Sequence, residues 1–280
     1  MKRKPPQEHK KGKEPVDATN RRTRSNRAKE RADKSAVDAK AVLKQEASLA
    51  SALQGFRLDR HGSYTAQAEA ALREAIVRGR LSPGASLSEA AISAVLGISR
   101  TPVREALALL ADEQLVVIYP QVKTLVAPVR RSLIDEGRFV RSTLECANHV
   151  ELAAMITQPQ IDSLNVLIGA QRQAAAAGEV EEFFKLDEDM HRSMFEFASR
   201  AHVWTILQGV KQHFDRVRWL LLERVAYHAR RAQHEHEAIM DRLLARDTAG
   251  LTEAVSHHIN AIVGHMQELH ERAPPTYFID

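Results

Sequence analysis

Residues 96–107 read LGISRTPVREAL, a pattern typical of a tight turn that leads directly into a helix. Gly97 can adopt a positive φ and so end a preceding helix, and Ser99 is a suitable N-cap for the next one. Arg100 and Arg104 then fall in the first turn of that helix, whose inward face is apolar. Because the N-terminal residues of such a helix can reach base edges and phosphates in a major groove, the segment predicts a DNA-reading helix.

The flanking sequence predicts that this turn belongs to a winged helix-turn-helix. A short helix with an apolar face precedes it at residues 87–96, and two strand-like segments follow at 115–119 and 125–127, with a polar tip at 121–124. The residues that we expect to contact DNA are Ser88, Ser99, Arg100, Thr101, Arg104, Gln121, Lys123 and Thr124. A solvated basic helix start without a DNA-binding role is the alternative interpretation.

Composition and charge narrow the class of protein. The chain has 280 residues and no apolar run of the length that a membrane span requires. It also lacks the apolar region of a signal peptide at its start, so we expect a cytoplasmic protein with no membrane partner. One cysteine, Cys146, excludes an internal disulfide framework. Residues 1–35 carry 13 Lys and Arg against 5 Asp and Glu, which predicts a disordered basic tail.

From Val129 onward the periodicity is helical and predicts about six antiparallel helices joined by short loops. We therefore expect a mainly α protein, in which an N-terminal winged helix-turn-helix is followed by an all-α antiparallel helical bundle. The expected divisions are a basic tail with a possible loose helix at 1–62, the winged domain at 63–128, the bundle at 129–272 and a frayed C-terminus at 273–280. The apolar stripe of the first bundle helix consists of Phe139, Val140, Leu144, Ala147 and Val150.

Four polar side chains fall on inward faces of the predicted bundle. Asp187 and His191 lie one helical turn apart and continue an apolar stripe, while His236 and His258 lie on apolar faces of two later helices. Buried polar groups require partners, and one carboxylate with three imidazoles can share a divalent cation such as Zn, Ni or Mn. The pattern therefore predicts a metal site. Core histidines with ordinary hydrogen-bond partners are the alternative.

The first half of the chain resembles the GntR family of bacterial transcription regulators. The segments that carry this resemblance are 83–84 (PG), 87–89 (LSE), 99–107 (SRTPVREAL) and 120–121 (PQ). One departure concerns the wing, where Val122 and Lys123 stand in place of the Arg-Gly pair that is common in the family. Lys123 can still reach a phosphate, and without the glycine we expect a broader wing tip.

The second half resembles the FCD effector domain of the FadR branch of that family. The matching segments are 187–191 (DEDMH), 235–239 (EHEAI) and 257–259 (HHI), and smaller details at 139–146 and 215–218 are most similar to the RspR-like subgroup. Many members of that branch bind a metal through an Asp-x-x-x-His pair and two later histidines. The resemblance assigns these roles to the same four residues that the periodicity selects.

Together, the two resemblances imply a DNA-binding repressor whose operator affinity is controlled by a small carboxylate or sugar acid bound at the metal. Arg141 is the first candidate for the cation that pairs with this effector, and Arg218 is the second, with an ordinary ion pair as the alternative for Arg218. A homodimer is expected because helix-turn-helix proteins read paired half-sites.

Two other functions remain open at this stage. A metal-dependent hydrolase fused to a DNA-binding domain would use the same ion to activate water and would show turnover. The chain has no nucleophile motif and no clear general base near the site, so we expect that it is not an enzyme. An effector-independent DNA-binding protein with a structural metal would melt at a temperature that organic acids do not change.

Overall fold

The computed structural model describes residues 47–225 and 227–279, so most of the basic tail predicted for residues 1–62 lies outside the described part of the chain. Residues 48–52 are helical, and the side chains of Leu49 and Ala52 are buried in the same core as Leu72. The folded N-terminal domain therefore extends upstream of the predicted boundary at residue 63, because these apolar side chains have a core into which they can be buried.

The N-terminal domain combines three helices with a small antiparallel sheet. Gly97 ends the second helix with a φ of 68°, and the side chain of Ser88 caps the start of that helix by accepting from the backbone N–H of Ala91. The third strand lies between the first two, with Val117 opposite Leu125. In chain order the elements are α1 (Tyr64–Val77), β1 (Ser86–Leu87), α2 (Glu89–Leu96), α3 (Arg100–Asp112), β2 (Val116–Tyr119) and β3 (Lys123–Val126).

The C-terminal domain is a helical bundle, so the predicted mainly α fold with a winged domain followed by a bundle is confirmed. Within the described residues, none of the helices has both the length and the apolar content that a bilayer crossing needs. The last short helix continues the sixth predicted one after a break at His265. The bundle helices are α4 (Arg131–Met155), α5 (Gln158–Ala177), α6 (Val180–Phe197), α7 (Ala201–Arg224), α8 (His228–Leu244), α9 (Thr248–Gly264) and α10 (Met266–Arg272).

The end of the chain differs from the frayed C-terminus predicted for residues 273–280. A 3-10 turn (Pro275–Tyr277) leads into β5 (Phe278–Ile279), which pairs in parallel with β4 (Val129–Arg130). This pairing satisfies backbone groups at the edge of β4. The side chains of Tyr277 and Phe278 also pack against the bundle core. The C-terminal segment is thereby held beside the connection between the two domains.

Helix α7 makes several of the polar contacts between the bundle and the winged domain. Nη2 of Arg216 donates to the backbone O of Ala127 at 2.6 Å, and Nε2 of His213 lies 2.9 Å from the backbone O of Glu113. The amide of Gln212 donates to the carboxylate of the same Glu113 at 3.1 Å. A displacement of α7 would therefore be transmitted to the end of α3 and to the strand that leads into the bundle.

Buried histidines predict how the stability of this fold depends on pH. Burial lowers the pKa of His213 and of His228 to about 4 each, whereas an unfolded histidine has a pKa of about 6.5. Between these values the unfolded chain binds more protons, so stability falls as the pH falls, by up to about 1.4 kcal/mol per pH unit for each histidine. We expect urea unfolding to show this loss between about pH 6.5 and pH 4.

The control for this prediction is an exposed histidine. The double substitution His213→Gln/His228→Gln should flatten the pH dependence of the unfolding free energy, and His202→Gln, which alters an exposed residue, should not. An equal slope in the double variant and in the wild type would contradict the assignment.

Candidate metal centre and nucleic-acid interface

The four side chains predicted to bind metal lie together in the middle of the bundle. Asp187 and His191 are on α6, His236 is on α8 and His258 is on α9, and all four are buried. Ligand atoms of the three histidines lie within 4.8 Å of one another. The carboxylate of Asp187 lies 3.4 Å from Nε2 of His191 and 3.8 Å from Nε2 of His236. Three imidazoles thus surround a single small volume, and the Asp187 carboxylate lies beside two of them.

Hydrogen bonds on the far side of two rings fix their protonation. Nδ1 of His236 lies 2.7 Å from Oε1 of Gln171, whose amide nitrogen donates to the backbone O of Leu186, and Nδ1 of His258 lies 3.0 Å from Oε2 of Glu235. Both Nδ1 atoms therefore carry the proton, and both Nε2 atoms carry a lone pair. Such outer partners orient the histidines of metal sites and raise their basicity.

The inner nitrogens of these two rings lie in an arrangement that calls for a cation. Nε2 of His236 and Nε2 of His258 are 3.3 Å apart, and at that distance two lone pairs repel each other unless a positive charge lies between them. Burial lowers the pKa of both imidazoles, which disfavours a shared proton as that charge. A divalent metal with nitrogen and oxygen ligands fits the residues that are present.

Helix α4 brings a second set of buried polar side chains to the same centre. Glu145 accepts from Nε of Arg141 at 2.6 Å, and its other oxygen lies 2.9 Å from Nδ1 of His191. Burial alone would raise the pKa of this carboxyl, but the charge of Arg141 and the contact with His191 hold the pKa well below its usual range. Nη2 of Arg141 lies 3.5 Å from Nε2 of His191. The predicted effector-binding arginine therefore lies next to a predicted metal ligand.

Sequence reasoning missed His149, which lies one turn after Glu145 on the same face of α4. Its ring is buried 6.4 Å from the ring of His191, and neither nitrogen has a side-chain hydrogen-bond partner within the described residues. Burial lowers the pKa of His149 to about 4, so the imidazole is neutral near pH 7. The recurrence of polar residues at 141, 145, 148 and 149 was the available signal, since these positions share one helical face.

Arg218, the second predicted effector residue, is held by carboxylates. Its Nη1 donates to Glu188 at 2.6 Å and to Asp215 at 2.7 Å, and its Nη2 donates to Asp187. Burial by itself would raise the pKa of Asp187, but Arg218 and the neighbouring histidines hold it well below its ordinary value. With three acidic partners, Arg218 is suited to link a metal-site residue to α7, which favours the ion-pair interpretation over effector binding.

The predicted DNA-reading residues of α3 lie on the surface at its first turn. Ser99 precedes the helix as its N-cap residue, and Ser99, Arg100 and Thr101 are exposed. Arg104 is 71% exposed and forms a two-pronged ion pair with Glu89 of α2, at 3.0 and 2.9 Å. This pair fixes the direction of the guanidinium without burying it, as expected of an arginine that is presented to a partner.

The wing between β2 and β3 carries the other predicted contacts. Gln121 adopts a left-handed backbone conformation with a φ of 59°, and therefore takes a conformation for which glycine is usual. The ammonium of Lys123 lies 5.5 Å from the centre of the Tyr119 ring, and Thr124 follows it on β3. Among the predicted contacts, Ser88 differs, because its hydroxyl oxygen already caps α2.

Comparisons with known proteins cover both domains. Residues 64–126 match the gntR family of bacterial regulatory proteins, and residues 136–261 match the FCD domain. An uncharacterized HTH-type transcriptional regulator in an unstable DNA locus of Streptomyces ambofaciens is 32% identical over 210 residues, which are 75% of this chain and 87% of that protein. The HTH-type transcriptional repressor RspR of Escherichia coli strain K12 is 30% identical over 200 residues, covering 71% of this chain and 87% of that protein.

A solved structure agrees with these sequence matches. Escherichia coli McbR/YncC aligns with a TM-score of 0.65 and 21% identity, over 75% of this chain and 99% of that chain, which shows a shared fold. The matching families and relatives are transcription regulators and not enzymes. This chain therefore belongs to the GntR family of bacterial transcription regulators, in the group with an FCD domain, and is a DNA-binding regulator.

Proposed function

We propose that this regulator represses transcription as a homodimer on an operator and that a small organic acid bound at the metal centre controls its affinity for DNA. The similarity to a repressor supports the direction of the regulation. The observation that carries the sensing half is the pair of facing Nε2 atoms of His236 and His258, 3.3 Å apart, each with its Nδ1 bonded to an acceptor.

The residues beside the metal centre favour a carboxylate as the effector. A divalent ion with four protein ligands and an octahedral preference keeps two further positions, which the two oxygens of a hydroxy acid can occupy. Arg141, at 3.5 Å from Nε2 of His191, provides a positive charge and N–H donors for the same ligand. The neutral His149 adds a ring nitrogen that can form a hydrogen bond with a hydroxyl group of the effector. These groups together suit a sugar acid.

The proposed route from effector to DNA runs through α7. Arg218 joins Asp187 to Asp215 of that helix, and two residues earlier on the same helix His213 contacts the winged domain. An acid that binds one arrangement of α7 better than another shifts the balance between the two by its difference in affinity. In a homodimer this shift changes the spacing of two α3 helices, and paired half-sites are sensitive to that spacing.

A thermal-shift screen tests the sensing function. The metal-loaded protein should be stabilised by one class of organic or sugar acid, with about 2.7 kcal/mol added to the unfolding free energy at 100 times Kd. Arg141→Lys, which keeps the charge and loses the forked donor, should reduce this response while the metal remains bound. Arg138→Lys, on the outer part of the same helix, is the matched control.

Two outcomes would count against the proposal. A protein stabilised by metal but by no acid would hold a structural ion only. An acid response that is equal in the wild type and in Arg141→Lys would place the acid elsewhere.

A further inference from the structure

A small cavity lies at the junction of the two domains, away from the metal centre. Its volume is about 80 Å³. The winged domain contributes the end of α1 and the following turn, and the bundle contributes α7 and the C-terminal segment. The charged residues in its lining are Arg216, Arg224 and Glu223. Two positive charges therefore meet one negative charge in this small space.

Arg216 is a buried cation whose charge is not balanced by a described residue. Its side chain is only 2% exposed, and its one hydrogen bond within the described chain is from Nη2 to the backbone O of Ala127. Nη1 has no hydrogen-bond partner, and no described carboxylate forms an ion pair with this guanidinium. Burial lowers its pKa to about 10. A buried charge without a counter-ion is costly, so its retention suggests a partner of opposite charge.

Arg224, two turns further along α7, also has an unused donor. Its Nε is buried and lacks a hydrogen-bond partner, and the nearest carboxylate, that of Glu223, lies 3.7 Å away on a side chain that is 52% exposed. The guanidinium is held 5.7 Å from the centre of the Tyr277 ring. Nη1 donates to the backbone O of Arg272 at 3.4 Å, so this bond and the ring contact hold the group in place while its Nε stays available to an acceptor.

We propose that this junction cavity binds a small tetrahedral oxyanion of the type of inorganic phosphate or sulfate. Two guanidinium groups supply charge and donors of the kind that oxyanions prefer. Ser82 and Tyr277 also line the cavity, and their hydroxyls are donors of the same chemistry. The small volume favours an ion of this size over a nucleotide. Because both domains line the site, a bound oxyanion would hold the winged domain against α7, independently of any metal.

Calorimetric titration of the full chain with inorganic phosphate tests this site. At constant ionic strength set by chloride, the wild type should show saturable binding of one phosphate per chain. Arg224→Gln should weaken this binding about tenfold or more, since a hydrogen bond to a charged group is lost. Glu223→Gln removes a nearby negative charge and should tighten it. Arg192→Gln, on the surface of α6, should leave it unchanged.

Titrations with two other ligands distinguish a free oxyanion from a phosphate group that is part of a larger molecule. Sulfate should compete with phosphate, whereas a sugar phosphate, whose sugar the small cavity does not match, should bind more weakly than phosphate does. Arg216→Gln would also alter the buried contact with Ala127 and is therefore not used. The test rests on Arg224→Gln and Glu223→Gln. Phosphate heats that are no larger than those of chloride, equal affinity in Arg224→Gln and the wild type, or tight binding of the sugar phosphate would each overturn the proposal.

Discussion

Replacing His236 by alanine is expected to lower the affinity for divalent metal by more than 100-fold. Changes to outer partners of metal ligands typically cost about 10- to 100-fold, and the loss of a ligand exceeds that. His236 is central because its Nε2 lies 3.3 Å from Nε2 of His258 and 3.8 Å from the carboxylate of Asp187. Competition with a chromophoric chelator measures the affinity directly.

Two further variants of α8 should lower the metal affinity less than His236→Ala does, or not at all. Glu235→Gln removes the charged acceptor that orients His258 and should weaken metal binding by about 10- to 100-fold. His234→Ala changes an exposed histidine two positions before His236 and should have no effect. If His236→Ala and His234→Ala bind metal equally well, the metal centre is not where we place it.

The second large effect concerns DNA recognition. Arg104→Ala and Arg100→Ala should each weaken operator binding by about 1–3 kcal/mol, a factor of about 5 to 150. Both side chains are exposed at the start of α3, and Glu89 holds Arg104 in a defined direction. Fluorescence anisotropy with an operator duplex and with a shuffled duplex of the same length measures the loss and the change in specificity.

Substitution in the basic tail provides the comparison for this prediction. Lys10→Ala removes one positive charge from the tail, so it should weaken binding to the two duplexes to a similar, small extent and lower the salt dependence. If Lys10→Ala weakens operator binding as much as Arg104→Ala does, the affinity is a general attraction between charges and α3 does not read the sequence.

Local sequence signals were sufficient to predict much of the architecture of the two domains. The winged domain could be predicted because a helix end at Gly97 and a helix start after Ser99 are encoded by single residues, and both occur in the structure. The inward positions of Asp187 and His191 could be predicted because they continue a period that apolar neighbours already define. Where one residue type fixes one backbone state or one helical face, the sequence is informative.

The first bundle helix shows where periodicity fails. By hydrophobic periodicity alone, the apolar stripe through Phe139 and Ala147 would face inward, but Phe139 is 66% exposed and Ala147 is exposed as well. The polar face with Arg141 and Glu145 is buried instead, because these charges satisfy each other and a histidine of α6. Hydrophobic periodicity assumes an apolar interior, so it selects the wrong face of a helix that builds a buried polar site.

Features that depend on distant partners were also beyond the sequence. The short strand β5 forms only because β4, roughly half the chain away, offers an edge to it. In the same way, the pairing of Arg218 with Asp215 is a local i,i+3 contact on α7, but its partners Asp187 and Glu188 could not be read from the sequence, since they lie on α6. These contacts follow from packing and have no local signature.

The link between the metal centre and DNA binding is tested most directly by operator affinity measured with and without the effector. Metal-loaded protein is titrated with operator duplex by fluorescence anisotropy, with and without an acid identified by thermal shift. The account predicts that the acid changes operator affinity by about 5- to 150-fold, and that operator DNA changes the affinity for the acid by the same factor. Operator affinity that stays the same when the acid saturates its site, and again when a chelator removes the metal, would contradict it.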